Sequence, residues 1–292
     1  MRYESGAAFR RALEDRLRTM GLETGVPLVR LRKMVAFDRF LSRLFFHEPD
    51  QWVVKGGFAL QLRLGASART TKDIDLLVTG ETQEIYPHLR DAGAIDLSDW
   101  FAFEVMNTIH SDVDDIGGLR YRIQSLLDGR TFERFHIDIG IGDPLLAPVE
   151  YLETPALLTF AGIESTIVPC YPITQQIAEK YHAFTRPHVS GVSSRVKDFV
   201  DMLLLAEMGK LDSISLRKAI QTTFDDCKTH ELPVKVPQPS KDWSLPFQKM
   251  ALEVGLEFES LSHAGPALQQ FLDPALEAET QKSWNSINWR WE

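Results

Sequence analysis

Residues 52–78 read Trp-Val-Val-Lys-Gly-Gly-Phe-Ala-Leu-Gln-Leu-Arg-Leu-Gly-Ala-Ser-Ala-Arg-Thr-Thr-Lys-Asp-Ile-Asp-Leu-Leu-Val, and this stretch sets the architecture. Trp52-Val53-Val54 is a short, β-prone apolar run that stops at Gly56-Gly57. Phe58 to Leu64 has helical spacing and ends at Gly65, a residue suited to the left-handed turn that closes a helix. Ser67 to Lys72 is polar, and Ile74 to Val78 is a second apolar run closed by Gly80. The order is strand, helix, strand.

On the N-terminal side, Ala7 to Met20 and Leu28 to Phe46 alternate apolar and charged residues with helical period. They predict two amphipathic helices with solvated, Arg-rich outer faces. On the C-terminal side a helix is expected over 81–91. Leu119–Leu127 and Thr131–Ile141 predict strands joined at Asp128-Gly129, a pair that favours a two-residue hairpin turn. His136 and Asp138 share one face of the second strand; Phe135, Ile137 and Ile139 share the other. Residues 144–172 carry five prolines and read as a loop-rich connector. Helices are expected over 174–184 and 194–207 with a loop over 187–193, then helical pieces from Leu211 broken by Pro233 to Ser244. Trp284, Trp289 and Trp291 are expected to dock the tail. The fold class is α+β: a mixed sheet flanked by helices over 1–170, then a mainly helical part over 171–292.

With 292 residues, 44% apolar and 25% charged, the chain has ordinary globular composition and enough length for a substantial core. Disorder and coiled coil are excluded as the main architecture. No stretch approaches the ~18 uncharged apolar residues of a spanning helix, so no membrane partner is expected. Cys170 and Cys227 form neither a CxxC nor a metal spacing, and the N-terminus lacks an apolar signal core; a cytoplasmic location is expected. A net charge of −9 excludes a generic nucleic-acid binder. Charge is uneven, however. Residues 1–46 hold ten Lys/Arg against five Asp/Glu. Residues 180–197 contain Lys180, His182, Arg186, His188, Arg195 and Lys197 and no acid, a window suited to a polyphosphate or an RNA backbone.

The chemistry gathers around Asp73 and Asp75. Two apart on a strand, they project from one face. Two acids that close repel each other unless a cation is shared, and oxygen ligands at this spacing suit Mg²⁺. An isolated D-x-D is commonly a pair of solvated acids, so other features have to add weight. Gly56-Gly57 stands before a helix, where backbone N–H groups and the helix N-terminus favour phosphate; the ordinary alternative is a tight turn. Asp138 lies mid-strand in an apolar run and needs a metal or an arginine. Asp201 is embedded in Phe199-Val200-Asp201-Met202-Leu203-Leu204, with Lys197 as the ordinary i,i+4 partner. Lys180 borders the apolar stripe of its helix and either snorkels or points into a cleft.

The order Lys55-Gly56-Gly57, helix, Arg69-x-Thr71-x-Asp73-x-Asp75 resembles the AbiEii/AbiGii toxin family, which includes the MenT toxins, nucleotidyltransferases of the DNA polymerase β-like superfamily. Gln175-Gln176-Ile177-Ala178-Glu179-Lys180-Tyr181-His182-Ala183 is similar to the family's lysine helix. Arg195-Val196-Lys197-Asp198-Phe199-Val200-Asp201-Met202 is similar to its R-x-x-D-x-x-D helix. The resemblance runs over about residues 51–205 and implies a nucleotidyltransferase-like sheet. It implies that Asp73 and Asp75 hold Mg²⁺ against an NTP, and that Asp138 stands in the place of a third, less constant carboxylate. It implies catalytic roles for Asp73, Asp75, Lys180 and Asp201, and nucleotide contacts from Gly56, Gly57, Thr71, Lys72 and Lys180. The superfamily's Gly-Ser is Gly-Gly-Phe here, so phosphate binding would rest on backbone amides and Thr71. Arg69, Arg186, Arg195 and Lys197 are candidates for RNA contact. The implied activity is transfer of nucleotides to RNA, at the tRNA 3′ end, which would block translation; a cognate antitoxin is the implied partner. The alternatives are transfer to a protein or small-molecule hydroxyl, and a nucleotide-binding regulator that performs no transfer.

Overall fold

The computed structural model describes residues 2–80, 84–109, 118–187 and 195–292. Residues 81–83 of the helix expected over 81–91, most of the 187–193 loop with His188, and Ser194 lie outside the described residues. The chain forms two compact units. The first comprises Met1–Gly65, Thr70–Asp143 and Val149–Cys170, and the second Ala66–Arg69, Pro144–Pro148 and Tyr171–Glu292.

The first unit opens with α1 (Gly6–Thr24) and α2 (Leu28–His47). Ser5 caps α1 by accepting the Ala8 N–H, Gly25 closes it in the left-handed region, and Phe9, Leu13 and Leu17 form its buried stripe. Then come β1 (Trp52–Lys55), α3 (Gly56–Leu64), β2 (Asp73–Val78), α4 (Ile85–Gly93), β3 (Phe101–Ile109), β4 (Leu119–Leu127), β5 (Arg130–Ile141), β6 (Glu150–Glu153) and β7 (Ile167–Cys170). One sheet has the order β3-β4-β5-β2-β1-β7-β6. It is mixed: β1 pairs antiparallel with β2 and parallel with β7, while β2 runs parallel to β5. Asp128 and Gly129 both have positive φ, the primed-turn geometry that an Asp-Gly pair favours. Phe37 of α2, Phe58 of α3 and Phe135 of β5 meet edge-on, with centroids 5.1 and 5.0 Å apart, and fix the helices against one sheet face. The alternation Ile74, Leu76, Val78 points into this core, so Asp73 and Asp75 point away from it.

Three strands depart from expectation. β3 was not read, although Phe101 and Phe103 are buried and Ala102 and Glu104 exposed. β6 and β7 lie within the connector read as loop. Pro169 is tolerated in β7 because that strand meets β1 only at Val54–Cys170. The Arg-rich faces of α1 and α2 are also not uniformly solvated. Arg30, Arg39 and Arg43 are buried. Arg43 spends every guanidinium donor on Asp99 and the carbonyls of Ile95, Arg39 and Phe101, at 2.6–3.0 Å. A fully partnered guanidinium can be buried where a bare one cannot.

The second unit contains α5 (Ile173–Thr185), α6 (Val196–Glu207), α7 (Ser213–Cys227), α8 (Ser244–Val254), α9 (Leu261–Leu276) and a small ribbon of β8 (Trp284–Asn285) and β9 (Arg290–Trp291). The tail tryptophans dock as expected: Trp284, Trp289 and Trp291 donate their indole N–H groups to the carbonyls of Ala206, Ala267 and Phe271. Among the described residues no helix is long and apolar enough to cross a membrane.

Candidate active site

In the first unit, register determines which side chains meet. Asp73 lies beside His136 and Asp75 beside Asp138 across the parallel pair β2–β5, and Asp138 lies beside Arg120 across β4–β5. Laterally adjacent residues share a sheet face, so three carboxylates project together from the face opposite the aromatic core. Asp73 and Asp138 are about one-third exposed. His136 Nδ1 is 3.2 Å from Asp73 Oδ1. The Gly57 N–H donates to Asp75 Oδ2 at 3.3 Å. Gly56 has φ +60°, and a Cβ on it would stand 2.0 Å from Asp75 Oδ2. Glycine is therefore required here by backbone conformation and by the close approach of the carboxylate. Asp138 takes both Nε and Nη2 of Arg120, each at 2.6 Å. These hydrogen bonds raise the Arg120 pKa against the opposing effect of partial burial, and the charges of Asp138, Asp73 and Asp75 add to the rise.

In the second unit, α5 and α6 bring Lys180 and Asp201 together. Lys180 Nζ is 2.6 Å from Asp201 Oδ2 and 3.6 Å from Asp198 Oδ1. Asp201 has no exposed side-chain surface and also receives Arg69 through Nε and Nη2, at 2.9–3.1 Å. Asp198 pairs with Arg195 at 3.6 Å. The R-x-x-D-x-x-D spacing thus has a plain cause. Two acids one helical turn apart share one ammonium, and the arginine one turn earlier balances the first acid. Burial opposes the charge on Lys180, but Asp201 and Asp198 outweigh it and its pKa is raised. Burial likewise opposes ionisation of Asp201, yet Lys180 and Arg69 hold its pKa below the ordinary value.

A model of the nucleotidyl transferase AbiEii toxin family, of type IV toxin–antitoxin systems, matches residues 39–285. The chain belongs to this family. Its fold is similar to that of MenT4, a nucleotidyltransferase toxin of Mycobacterium tuberculosis H37Rv (TM-score 0.53, 15% identity, 90% of this chain and 98% of that one). JHP933 from Helicobacter pylori is also similar, with a TM-score of 0.47 and 16% identity over 84% of this chain and 94% of that one. The comparison with curated proteins finds no match. This AbiEii-family protein is therefore an enzyme of the nucleotidyltransferase class, and its family implies a cognate antitoxin.

For an AbiEii nucleotidyltransferase the donor set on the acid face is suited to Mg²⁺: hard carboxylate oxygens, partly open to water. Among the described residues no three His, Cys, Asp or Glu side chains form a ready cluster. Mg²⁺ commonly takes one or two carboxylates and completes its shell with water and substrate phosphates, so Asp73 and Asp75 fit it. The structure gives the sequence-predicted residues these surroundings. Asp138 is held by Arg120, the arginine partner that sequence left open. The partners of Asp201 are Lys180 and Arg69, whereas Lys197 is exposed. Asp201 has no exposed side-chain surface with which to touch a nucleotide. Arg69 commits one guanidinium edge to Asp201, which removes that edge from RNA contact. The Gly57 amide is turned to Asp75. The Thr71 hydroxyl donates to the Asp73 carbonyl at 3.2 Å, so its proton is spent on holding the start of β2. Lys72 is exposed, and Arg186 and Arg195 are partly buried.

Sequence reading missed Arg120 and the pair Lys55–Asp143, whose Nζ and Oδ2 lie 2.5 Å apart, and it gave Asp198 no partner. Turn chemistry alone would not have found Arg120: a hairpin closed at Asp128-Gly129 puts Leu119 opposite Asp138, and a register shift between Ser125 and Leu126 brings Arg120 there instead. It also missed Arg122 and Arg134, exposed on the acid-bearing face.

Proposed function

We propose that this AbiEii toxin uses Mg²⁺ and an NTP to add nucleotides to RNA, at the tRNA 3′ acceptor end, and so blocks aminoacylation and translation in the cytoplasm. The observation that carries the reading is the face of β2 and β5, where Asp73, Asp75 and Asp138 project side by side. Asp73 and Asp75 would hold the metal, which when bound neutralises the triphosphate and favours a deprotonated attacking oxygen. By its motif Lys180 is the candidate triphosphate lysine, and Asp201 with Asp198 keeps its ammonium charged and oriented. The acceptor hydroxyl forms its bond to the α-phosphorus in line as the bond to the bridging oxygen breaks; its proton passes to water and pyrophosphate leaves. Gly56 and Thr71 act on the acids, by making room for Asp75 and by anchoring the backbone of Asp73. Exposed cations (Arg122 and Arg134 on the acid-bearing face, Lys197 on α6) support a polyanionic acceptor.

The test is incubation with each of four NTPs, radiolabelled at the α-phosphate, in the presence of total RNA and of total protein. Label in small RNA is expected. Label confined to protein would move the acceptor to a protein hydroxyl. Nucleotide binding without any label would overturn transfer altogether.

A further inference from the structure

Arg120, Asp138 and Asp75 form one lateral row across three adjacent strands, β4, β5 and β2. The guanidinium uses its Nε–Nη2 edge on both oxygens of Asp138, each at 2.6 Å. A divalent cation would seek the same carboxylate, and the two cations repel each other at such range. We infer that Arg120 is the resident counter-ion of Asp138, and that it is exchanged for the divalent cation when a triphosphate arrives to take the guanidinium. The inference rests on the nucleotidyltransferase reading and adds to it a residue and an order of events.

Exposure makes exchange feasible. The Arg120 and Asp138 side chains are 32% and 30% exposed, so neither is stranded in a dry interior when the pair opens. The Lys180–Asp201 pair is the contrasting case, at 8% and 0%. A triphosphate is a suitable acceptor for the released group, because guanidinium matches phosphate with two parallel hydrogen bonds. At rest Asp138 is then withheld from a metal by its guanidinium partner. Arg120 thereby opposes metal binding by itself and assists triphosphate binding by itself. A side chain that merely braces the sheet would weaken both when removed.

The experiment is calorimetric titration of the full chain with Mn²⁺ alone, and separately with inorganic triphosphate in EDTA. The proteins are wild type, Arg120→Gln, Asp138→Asn, the double variant and Arg120→Lys. Arg120→Gln is expected to tighten Mn²⁺ binding about fivefold and to weaken triphosphate binding by a similar factor. Asp138→Asn alone should leave Mn²⁺ binding nearly unchanged, and it should erase the gain in the double variant, which is the coupling a thermodynamic cycle measures. Arg120→Lys keeps the charge without the two-point contact and should shift both affinities the same way by less. It serves in place of Arg120→Gln if that variant does not fold. Mn²⁺ affinity that is unchanged or weaker without Arg120, or a gain that survives loss of Asp138, overturns the exchange while leaving the nucleotidyltransferase reading intact. A wild type that binds neither Mn²⁺ nor triphosphate removes both.

Discussion

Asp73 and Asp201 are both acids of the family motifs, yet their surroundings set opposite consequences for mutation. Asp73 is about one-third exposed beside a second acid, so Asp73→Asn is expected to abolish transfer while shifting stability by less than about 1 kcal/mol. Asp201 is fully buried between Lys180 and Arg69. Asp201→Asn would leave two cations without their shared counter-ion, and breaking such a pair costs about 3–5 kcal/mol. Urea denaturation of the two variants checks this contrast; equal losses would contradict it. Lys180→Ala should raise the KM for NTP more than it weakens RNA binding, measured by nucleotide titration and RNA anisotropy. Unchanged nucleotide saturation would count against a triphosphate role.

The β1–α3 corner holds the acid face through one glycine. Gly56→Ala would place a Cβ against Asp75 in a backbone conformation that disfavours side chains. The expected result is strain of about 1–3 kcal/mol together with weakened Mn²⁺ binding. Gly65→Ala is the control, since it has φ +58° with nothing within 4 Å of its Cβ. It should lose comparable stability, read by thermal denaturation, and keep its metal affinity. Metal binding reduced equally in both variants would show that the Asp75 contact is irrelevant. The same segment shows what a sequence can reveal. The strand–helix–strand order of 52–78 and the hairpin at Asp128-Gly129 were readable because they depend on periodicity and turn chemistry over a few neighbours. The short strands β6 and β7 were not, because four residues carry too little periodicity and their prolines mimic a loop. Partners distant along the chain were equally hidden. Arg43 with Asp99, Arg120 with Asp138 and Arg69 with Asp201 are separated by 56, 18 and 132 residues. A charged residue's local pattern does not say which of these encounters will bury it. The three motifs were readable in order along the chain, but the burial of Asp201 and its pairing with Lys180 and Arg69 were not.

Across the molecule, pH should act through buried groups with shifted titration. His182 lies against Phe224, and its Nε2 is 2.8 Å from the Thr229 hydroxyl. Burial first, then His230 and the charges of Arg186 and Arg195, push its pKa down from 6.5 to about 4. The unfolded chain therefore binds this proton more readily than the folded one. The stability tied to neutral His182 is fully present above pH 6.5 and is lost as pH falls toward 4, by about 1.4 kcal/mol per pH unit. Denaturation across that window should show the slope in wild type and a shallower slope in His182→Gln; identical slopes would refute the assignment. Asp201 acts at lower pH in the same direction, because a carboxylate held below its ordinary pKa loses its contribution as acid protonates it.

Asp73 and Asp75 are expected to hold together a cation that meets a triphosphate. Crystals of the full chain grown with Mn²⁺ and a non-hydrolysable triphosphate analogue would locate that cation by its anomalous signal. The predicted result is a peak bonded to carboxylate oxygens of both Asp73 and Asp75, with phosphate oxygens completing its shell. A triphosphate bound with its cation away from both acids would contradict the account.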